Sequence, residues 1–268
     1  MSILASGSSG NCALLETSQT RLLVDTGLSR RETLRRMKQI GVTPDSMDGI
    51  LITHEHADHC SGLPTLAAHY KTTIYLTQPT HAEIARGIVP ERRAERFRRH
   101  ERVEFIAPGA RFLVGDIEVS AFAIPHDAVD PLGFAFRSNG HKAALVTDLG
   151  YLPEHVKHHL RDADLLMLES NHDVEMLKVG PYPWHVKQRV MSRTGHLSNH
   201  AVSEFLCDEG GFDARPRHLV LAHLSENNNN PDVAKISAEE ALGRRSASAF
   251  QGTLHIASQD VPLGPFQL

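Results

Sequence analysis

Apolar residues enter this chain mostly as short runs or alternating stretches bounded by Gly, Pro, Asn or Asp, a pattern that predicts many short strands. They fall at 11–16, 20–25, 49–53, 73–77, 103–106, 110–114, 117–124, 132–137, 142–147, 164–169, 217–222 and 252–257. Between them helices are predicted at 29–40, 61–70, 79–87, 91–100, 153–161, 173–179, 184–193, 198–209 and 231–242, several opened by Ser, Asp or Pro. The first begins with a capping box, Ser29 with Glu32, and stops at Gly41. Asn227-Asn228-Asn229-Asn230-Pro231 reads as a turn into a helix with proline near its first position. Strands and helices interleaved in this way predict an α/β protein, a layered αββα sandwich, with no repeat or low-complexity linker. A single domain over 1–268 is expected, large enough for a substantial core and too small for a bulky inserted cap.

Composition narrows the setting. Cys12, Cys60 and Cys207 are odd in number and far apart, so no disulfide framework is implied and a reducing cytoplasm is expected. Cys60 reads as a small buried hydrophobe. The start, Met1-Ser2-Ile3-Leu4, lacks the basic and apolar segments of a signal peptide, and no apolar run is long enough to cross a bilayer. A soluble protein with no membrane partner is the expectation. The formal net charge of −4 at pH 7 gives no global attraction to nucleic acid. Local charge differs: Arg86, Arg92, Arg93, Arg96, Arg98, Arg99 and Arg102 face only Glu91, Glu95 and Glu101. That segment suits backbone phosphates, and equally a solvated helix laced with Glu–Arg pairs. Arg30, Arg31, Arg35, Arg36 and Lys38 form a weaker second basic face, most of which a plain surface helix explains.

The densest chemistry lies in Thr53-His54-Glu55-His56-Ala57-Asp58-His59, directly after the apolar run Gly49-Ile50-Leu51-Ile52. On extended or tightly turning backbone, His54 and His56 point to one side and can share an ion, while Asp58 and His59 can present a second pair to a neighbouring ion. Other single residues close predicted strands: Asp25 in Asp25-Thr26-Gly27, His126 after Ile124-Pro125, Asp148 after Val146-Thr147, and His223 after Leu221-Ala222.

The H-x-H-x-D-H run, followed by these isolated residues in order, resembles the metallo-β-lactamase superfamily. The resemblance implies that superfamily's four-layered αββα sandwich and two divalent metal ions. His54, His56 and His126 would hold one ion, Asp58, His59 and His223 the other, and Asp148 would bridge both. Asp25 would orient a ligand histidine or a motif amide. Two such ions ~3.5–4 Å apart can share a hydroxide, the nucleophile, with its pKa lowered towards ~7, and their charge stabilises a phosphoryl transition state. Nitrogen and oxygen ligands without thiolate suit Zn, Mn, Fe or Co alike. Antibiotic-hydrolysing members often place a cysteine where Asp148 stands, and flavin-coupled diiron members replace a motif histidine by a carboxylate. This chain does neither.

Four further segments, Ala5 to Cys12, Glu169-Ser170-Asn171-His172-Asp173, Gly195-His196-Leu197-Ser198-Asn199-His200 and His223-Leu224-Ser225-Glu226-Asn227-Asn228, are similar to the bacterial YycJ/WalJ-like exonuclease branch. That implies a metal-dependent exonuclease acting from 5′ ends of DNA, with links to DNA repair. Nucleic acid is then the expected partner, with no obligate protein partner evident. The loop from Ser6 to Asn11, including Ser8, reads either as an amide nest for a phosphate or as a tight hairpin. Ser198 and Asn199 sit at a helix start, where free amides favour an anion. Asn171 and His172 are candidates to contact substrate. Gly195-His196 also resembles a loop of tRNA 3′-end-processing relatives, which makes His196 a candidate general acid partnered by Glu169. With Asp58, these form the candidate catalytic residues. Glu169-Ser170-Asn171 departs from the Glu-Ala-Thr of those RNA enzymes, so RNA processing ranks below DNA trimming. A small-molecule hydrolase acting on a cyclic phosphodiester, thioester or lactone is the other alternative, and would not need the arginine segment.

Overall fold

The computed structural model describes residues 1–43, 45–87 and 91–268, without the side chains at 92, 93 and 96, so the Arg92, Arg93 and Arg96 guanidinium groups of the arginine segment lie outside the described residues. The chain forms two compact units, one of residues 1–123, 128–132 and 259–267, the other of 124–127, 133–258 and 268.

The first unit holds a six-stranded sheet whose strands follow chain order: β1 (Ser2–Ala5), β2 (Cys12–Glu16), β3 (Arg21–Val24), β4 (Gly49–Leu51), β5 (Thr73–Leu76) and β6 (Val103–Phe105). β1 to β3 pair antiparallel, and β3 to β6 run parallel. Parallel neighbours need crossovers, which α1 (Arg30–Gln39), α2 (Ala57–Cys60), α3 (Leu63–Tyr70), α4 (Gln78–Gly87) and α5 (Glu91–Arg98) provide. Leu22, Leu23, Val24, Ile50 and Leu51 are apolar without alternation and all are buried, as in a sheet covered on both faces. Met37 of α1 and Leu63 and Leu66 of α3 pack with Leu23, Ile50 and Ile74 in one cluster. Each such side chain contributes roughly 1.5–3 kcal/mol when fully buried. The hairpin β7 (Arg111–Val114) and β8 (Ile117–Ala123) completes this unit, with β8 alternating in burial as a strand of period two should.

Two elements were not predicted: β1, a buried four-residue strand at the chain start, and the short turn α2; the helix predicted at 61–70 is α3, which begins at Leu63. The basic face of α1 is not wholly a solvated surface either. Arg36 is buried and donates to the carbonyls of Leu4 at 3.0 Å and Gln259 at 2.5 Å, tying the helix to β1 and the C-terminal segment. Ser29 caps the Glu32 amide at 3.3 Å, but the Glu32 carboxylate turns to Arg35 and Arg36 instead of completing the box.

The second unit orders its strands β13 (Thr253–Ile256), β12 (His218–Ala222), β11 (Leu165–Glu169), β10 (His141–Val146) and β9 (Leu132–Ser138). β9 and β10 pair antiparallel, and β10 through β13 are parallel. Its helices are α6 (Glu154–Leu160), α7 (Val174–Val179), α8 (Trp184–Val190), α9 (Asn199–Cys207) and α10 (Pro231–Gly243). Asp173, Ser198 and Asn230 cap α7, α9 and α10 with side-chain oxygens. In register, Val146 lies beside Leu168 and Glu169 beside Ala222, so the chain leaves three parallel strands side by side with Asp148, Glu169 and His223 at their ends.

Candidate metal centre

In the first unit, β3 and β4 lie parallel with Val24 beside Leu51, which sets Asp25 next to the start of the histidine-rich run. Asp25 accepts from the Thr53 amide at 2.9 Å and from the Thr53 hydroxyl, and its Oδ2 lies 2.8 Å from His59 Nδ1. A carboxylate against Nδ1 makes that nitrogen the donor and puts the lone pair on Nε2. Thr53 Oγ1 stands 3.0 Å from His54 Nδ1 and does the same for that ring. The His54 ring lies 4.6 Å from His56 and 4.1 Å from His59, and His54 and His59 are fully buried. Asp58 Oδ2 is 3.3 Å from His59 Nε2. Thr53 was not among the sequence candidates, although its hydroxyl joins Asp25 to His54.

Close packing holds this loop. The Thr26 amide donates to the His59 carbonyl at 2.7 Å and the Gly62 amide to the Thr26 carbonyl at 2.8 Å. At Gly27 a Cβ would run into the Asp58 carbonyl, which is why Asp25-Thr26 must be followed by glycine. The thiol of Cys60, 3.0 Å from the Glu55 carbonyl, is pushed up to about 12 by burial and then by Asp25, and stays neutral.

In the second unit Asp148, Glu169, His196 and His223 each bring a ligand-type atom within 4.8 Å of the others. Glu169 is the hub. Its Oε1 lies 2.8 Å from His196 Nδ1 and 2.9 Å from His223 Nδ1, while Oε2 accepts from the amides of Leu149 at 3.0 Å and Leu197 at 2.9 Å. Burial opposes its charge, yet the two imidazoles win and hold Glu169 below the usual carboxylate range. Burial likewise works against a charged His196, but the Glu169 carboxylate and its hydrogen bond outweigh it and raise that pKa. His126 has Nδ1 at 3.3 Å from the Gly195 carbonyl and Nε2 at 4.0 Å from Asp148, and burial lowers its pKa. Asp25, Asp148 and His223 all have positive φ, at 58°, 63° and 56°. That left-handed backbone, costing on the order of 1–3 kcal/mol per residue, swings each side chain off its strand end.

These donors suit divalent cations. His54, His59, His126 and His223 each have Nδ1 against an oxygen, which is how metal-binding imidazoles are oriented, and no thiolate competes.

Several residues read as substrate contacts are occupied by the fold. Asn11 Oδ1 accepts from the Gly7 amide at 3.0 Å, Gln259 Oε1 from Ser9 at 2.9 Å and the Gly7 carbonyl from Gly10 at 3.2 Å. The amides of Gly7, Ser9 and Gly10 are therefore turned to acceptors of the loop and of Gln259 and not into an open nest. Ser6 is buried and Ser8 exposed, while Asn11 Nδ2 donates to Asp58 Oδ2 at 3.3 Å and lies 3.0 Å from His59 Nε2. Ser198 is spent capping Ala201 at 3.1 Å. Asn199 is buried between Ser170 Oγ at 2.7 Å and Asn229 at 2.9 Å, so neither it nor Ser198 is placed to receive substrate. Asn171 donates to the His223 carbonyl at 2.9 Å, and His172 is buried with its pKa lowered to about 4 by burial. Asn229 was read only as turn, yet its Nδ2 donates to the carbonyls of Ser170 at 2.8 Å and Asn171 at 3.0 Å.

Sheets with oriented histidines and carboxylates at strand ends define a metallo-hydrolase. The chain belongs to the metallo-β-lactamase superfamily: residues 20–224 match the family described as the beta-lactamase superfamily domain. It is 38% identical over 245 residues to the exodeoxyribonuclease YycJ of Bacillus anthracis, covering 90% of this chain and 88% of that one. It is 36% identical over 243 residues to the exodeoxyribonuclease WalJ of Streptococcus pneumoniae, covering 91% and 88%. The metallo-β-lactamase fold protein YhfI of Bacillus subtilis superposes with a TM-score of 0.68 at 17% identity over 98% of this chain and 99% of its own, which shows the shared fold. No helix among the described residues is long and apolar enough to cross a membrane.

Proposed function

We propose that the chain is a metal-dependent phosphodiesterase that trims DNA from 5′ ends in the cytoplasm, with both units acting as one catalytic domain. Its free cysteines accord with a reducing compartment. His54, His56 and His126 would hold one divalent ion and Asp58, His59 and His223 a second, with Asp148 shared, as the family pattern has them; Zn, Mn and Fe all suit these donors. Bound ions would supply charge neutralisation at the phosphoryl group and an acidified water.

The protein's own groups do the rest. Asp25 and Thr53 fix the rings of His59 and His54 before any ion arrives. Glu169 fixes His223 and, through the same oxygen, favours the protonated form of His196, which would give a proton from Nε2 to the leaving oxygen. That shared Glu169 oxygen is the observation that carries the mechanism, since it couples a ligand-type histidine to a proton donor. DNA as substrate follows from the exodeoxyribonuclease relatives, which match along nine-tenths of this chain. Of the candidate substrate contacts Ser8 is exposed, while Asn171 would act indirectly, through the His223 backbone.

A degradation assay decides it. End-labelled duplex and single-stranded DNA and RNA are incubated with Mn or Zn beside a thioester. The expected result is stepwise loss of DNA from 5′ ends; preferential loss of RNA, or turnover of the thioester alone, overturns it.

A further inference from the structure

Two basic segments far apart in sequence, the start of α1 and the end of α5, line one groove of about 1040 Å³ in the first unit. Pro64, Ala67, Ala68 and Phe97 contribute its apolar lining. Arg30, Arg31, Lys71, Arg99 and Arg102 line it as well, against one carboxylate, Glu101. Arg99 is paired with Glu95 at 2.6 Å. Arg102 donates to the Lys71 carbonyl at 2.6 Å, a bond that positions the guanidinium without cancelling its charge. Arg30, Arg31 and Lys71 have no carboxylate partner among the described residues. Further along α1 the ordinary surface arrangement does occur, with Glu32 taken by Arg35 and Arg36, both at 2.6 Å. Arg30, Arg31 and Lys71 are therefore left uncompensated, while Arg35, Arg36 and Arg99 are neutralised.

Position matters as much as charge. α1 starts from the loop whose Thr26 binds the His59 and Gly62 backbones, and α3 starts directly after Gly62. The groove thus begins beside the histidine-rich run, at Ser29 and Arg30, and follows α3 from Pro64 to Lys71. Seven residues of helix cover about 10 Å. One strand of a duplex carries a phosphate about every 3.4 Å of helix axis, so a groove running along that axis passes roughly three of them. Exposed cations spread along an open groove suit a polyanion, which binds by releasing counterions, better than a single small anion, which needs converging buried donors.

We propose that this groove binds the sugar-phosphate backbone of DNA a few nucleotides from the end being cut. The choice of DNA rests on the proposed nuclease function. The test is the salt dependence of binding, read by anisotropy of a labelled duplex whose phosphorothioate ends resist cleavage. The full-length protein is compared with Arg30→Gln/Arg31→Gln/Lys71→Gln, whose exposed side chains should leave the melting temperature unchanged. The expected result is weaker binding and a plot of log affinity against log salt shallower by about 2–3, near 0.9 for each lost contact. Equal slopes for the two proteins overturn the proposal, as does binding of the unsubstituted protein to anionic phospholipid vesicles with none to DNA. A slope that falls as expected, while unprotected DNA stays intact, supports the groove and removes the nuclease function.

Discussion

Glu169 joins the two roles that the second unit has to combine. One carboxylate oxygen serves both His196 and His223, so any change in its charge is felt by both rings together. If His196 protonates the leaving oxygen, His196→Ala slows DNA cleavage by about 10²–10⁴-fold. The loss should nearly vanish for a p-nitrophenyl phosphodiester, whose leaving group needs no proton; equal losses on both substrates would mean that His196 acts by binding or by structure. His172 gives a prediction on pH. Burial holds its folded pKa near 4, below the ordinary 6.5, so the unfolded chain binds more protons between these values. Its contribution is therefore complete above pH 6.5 and is lost as pH falls towards 4, by an amount on the order of 3 kcal/mol. Denaturant unfolding of the metal-free protein at pH 7 and pH 4.5 should show a larger loss than in His172→Asn, and identical losses would contradict it. At this scale the positions of Asp25, Glu169 and the start of the histidine-rich run could be read because each follows or closes an apolar strand run. The structural roles of Asn199 and Asn229 could not, since a hydrogen-bond network joining residues 30 or more positions apart leaves no spacing to read.

Strand ends, and the loops that leave them, aim the chemistry. Parallel register brings Asp25 beside the histidine-rich run in one sheet and Asp148, Glu169 and His223 side by side in the other. Most strands and helices were legible from apolar runs and capping residues. β1 was missed because a four-residue buried run at a chain start offers little periodicity, and α2 because a single turn has no repeat at all. Between the elements, the loop at Gly27 is the tightest point. Gly27→Ala drives a methyl into the Asp58 carbonyl, and an overpacked contact of that kind costs about 1–3 kcal/mol. A lower unfolding midpoint with weaker metal retention is expected, whereas unchanged values for both would show that the loop yields freely.

For the molecule as a whole, the superfamily was legible because its ligands occur in a fixed order along the chain, and the match over residues 20–224 with the shared fold bears that out. The basic groove was not, because folding brings together two arginine-bearing segments that the sequence holds about 70 residues apart, as Arg30 and Arg99 illustrate. The second unit by itself offers four ligand-type groups, Asp148, Glu169, His196 and His223, enough for one ion held without any help from the histidine-rich run. A dinuclear centre and this mononuclear alternative differ in where metal sits. Anomalous diffraction from crystals of the Mn- or Zn-loaded protein measures that directly. Two peaks per chain are predicted, one within ligand distance of His54, His56 and His126, the other of Asp58, His59 and His223, with Asp148 between them; a single peak on Glu169 and His196, away from the histidine-rich run, would contradict the dinuclear centre.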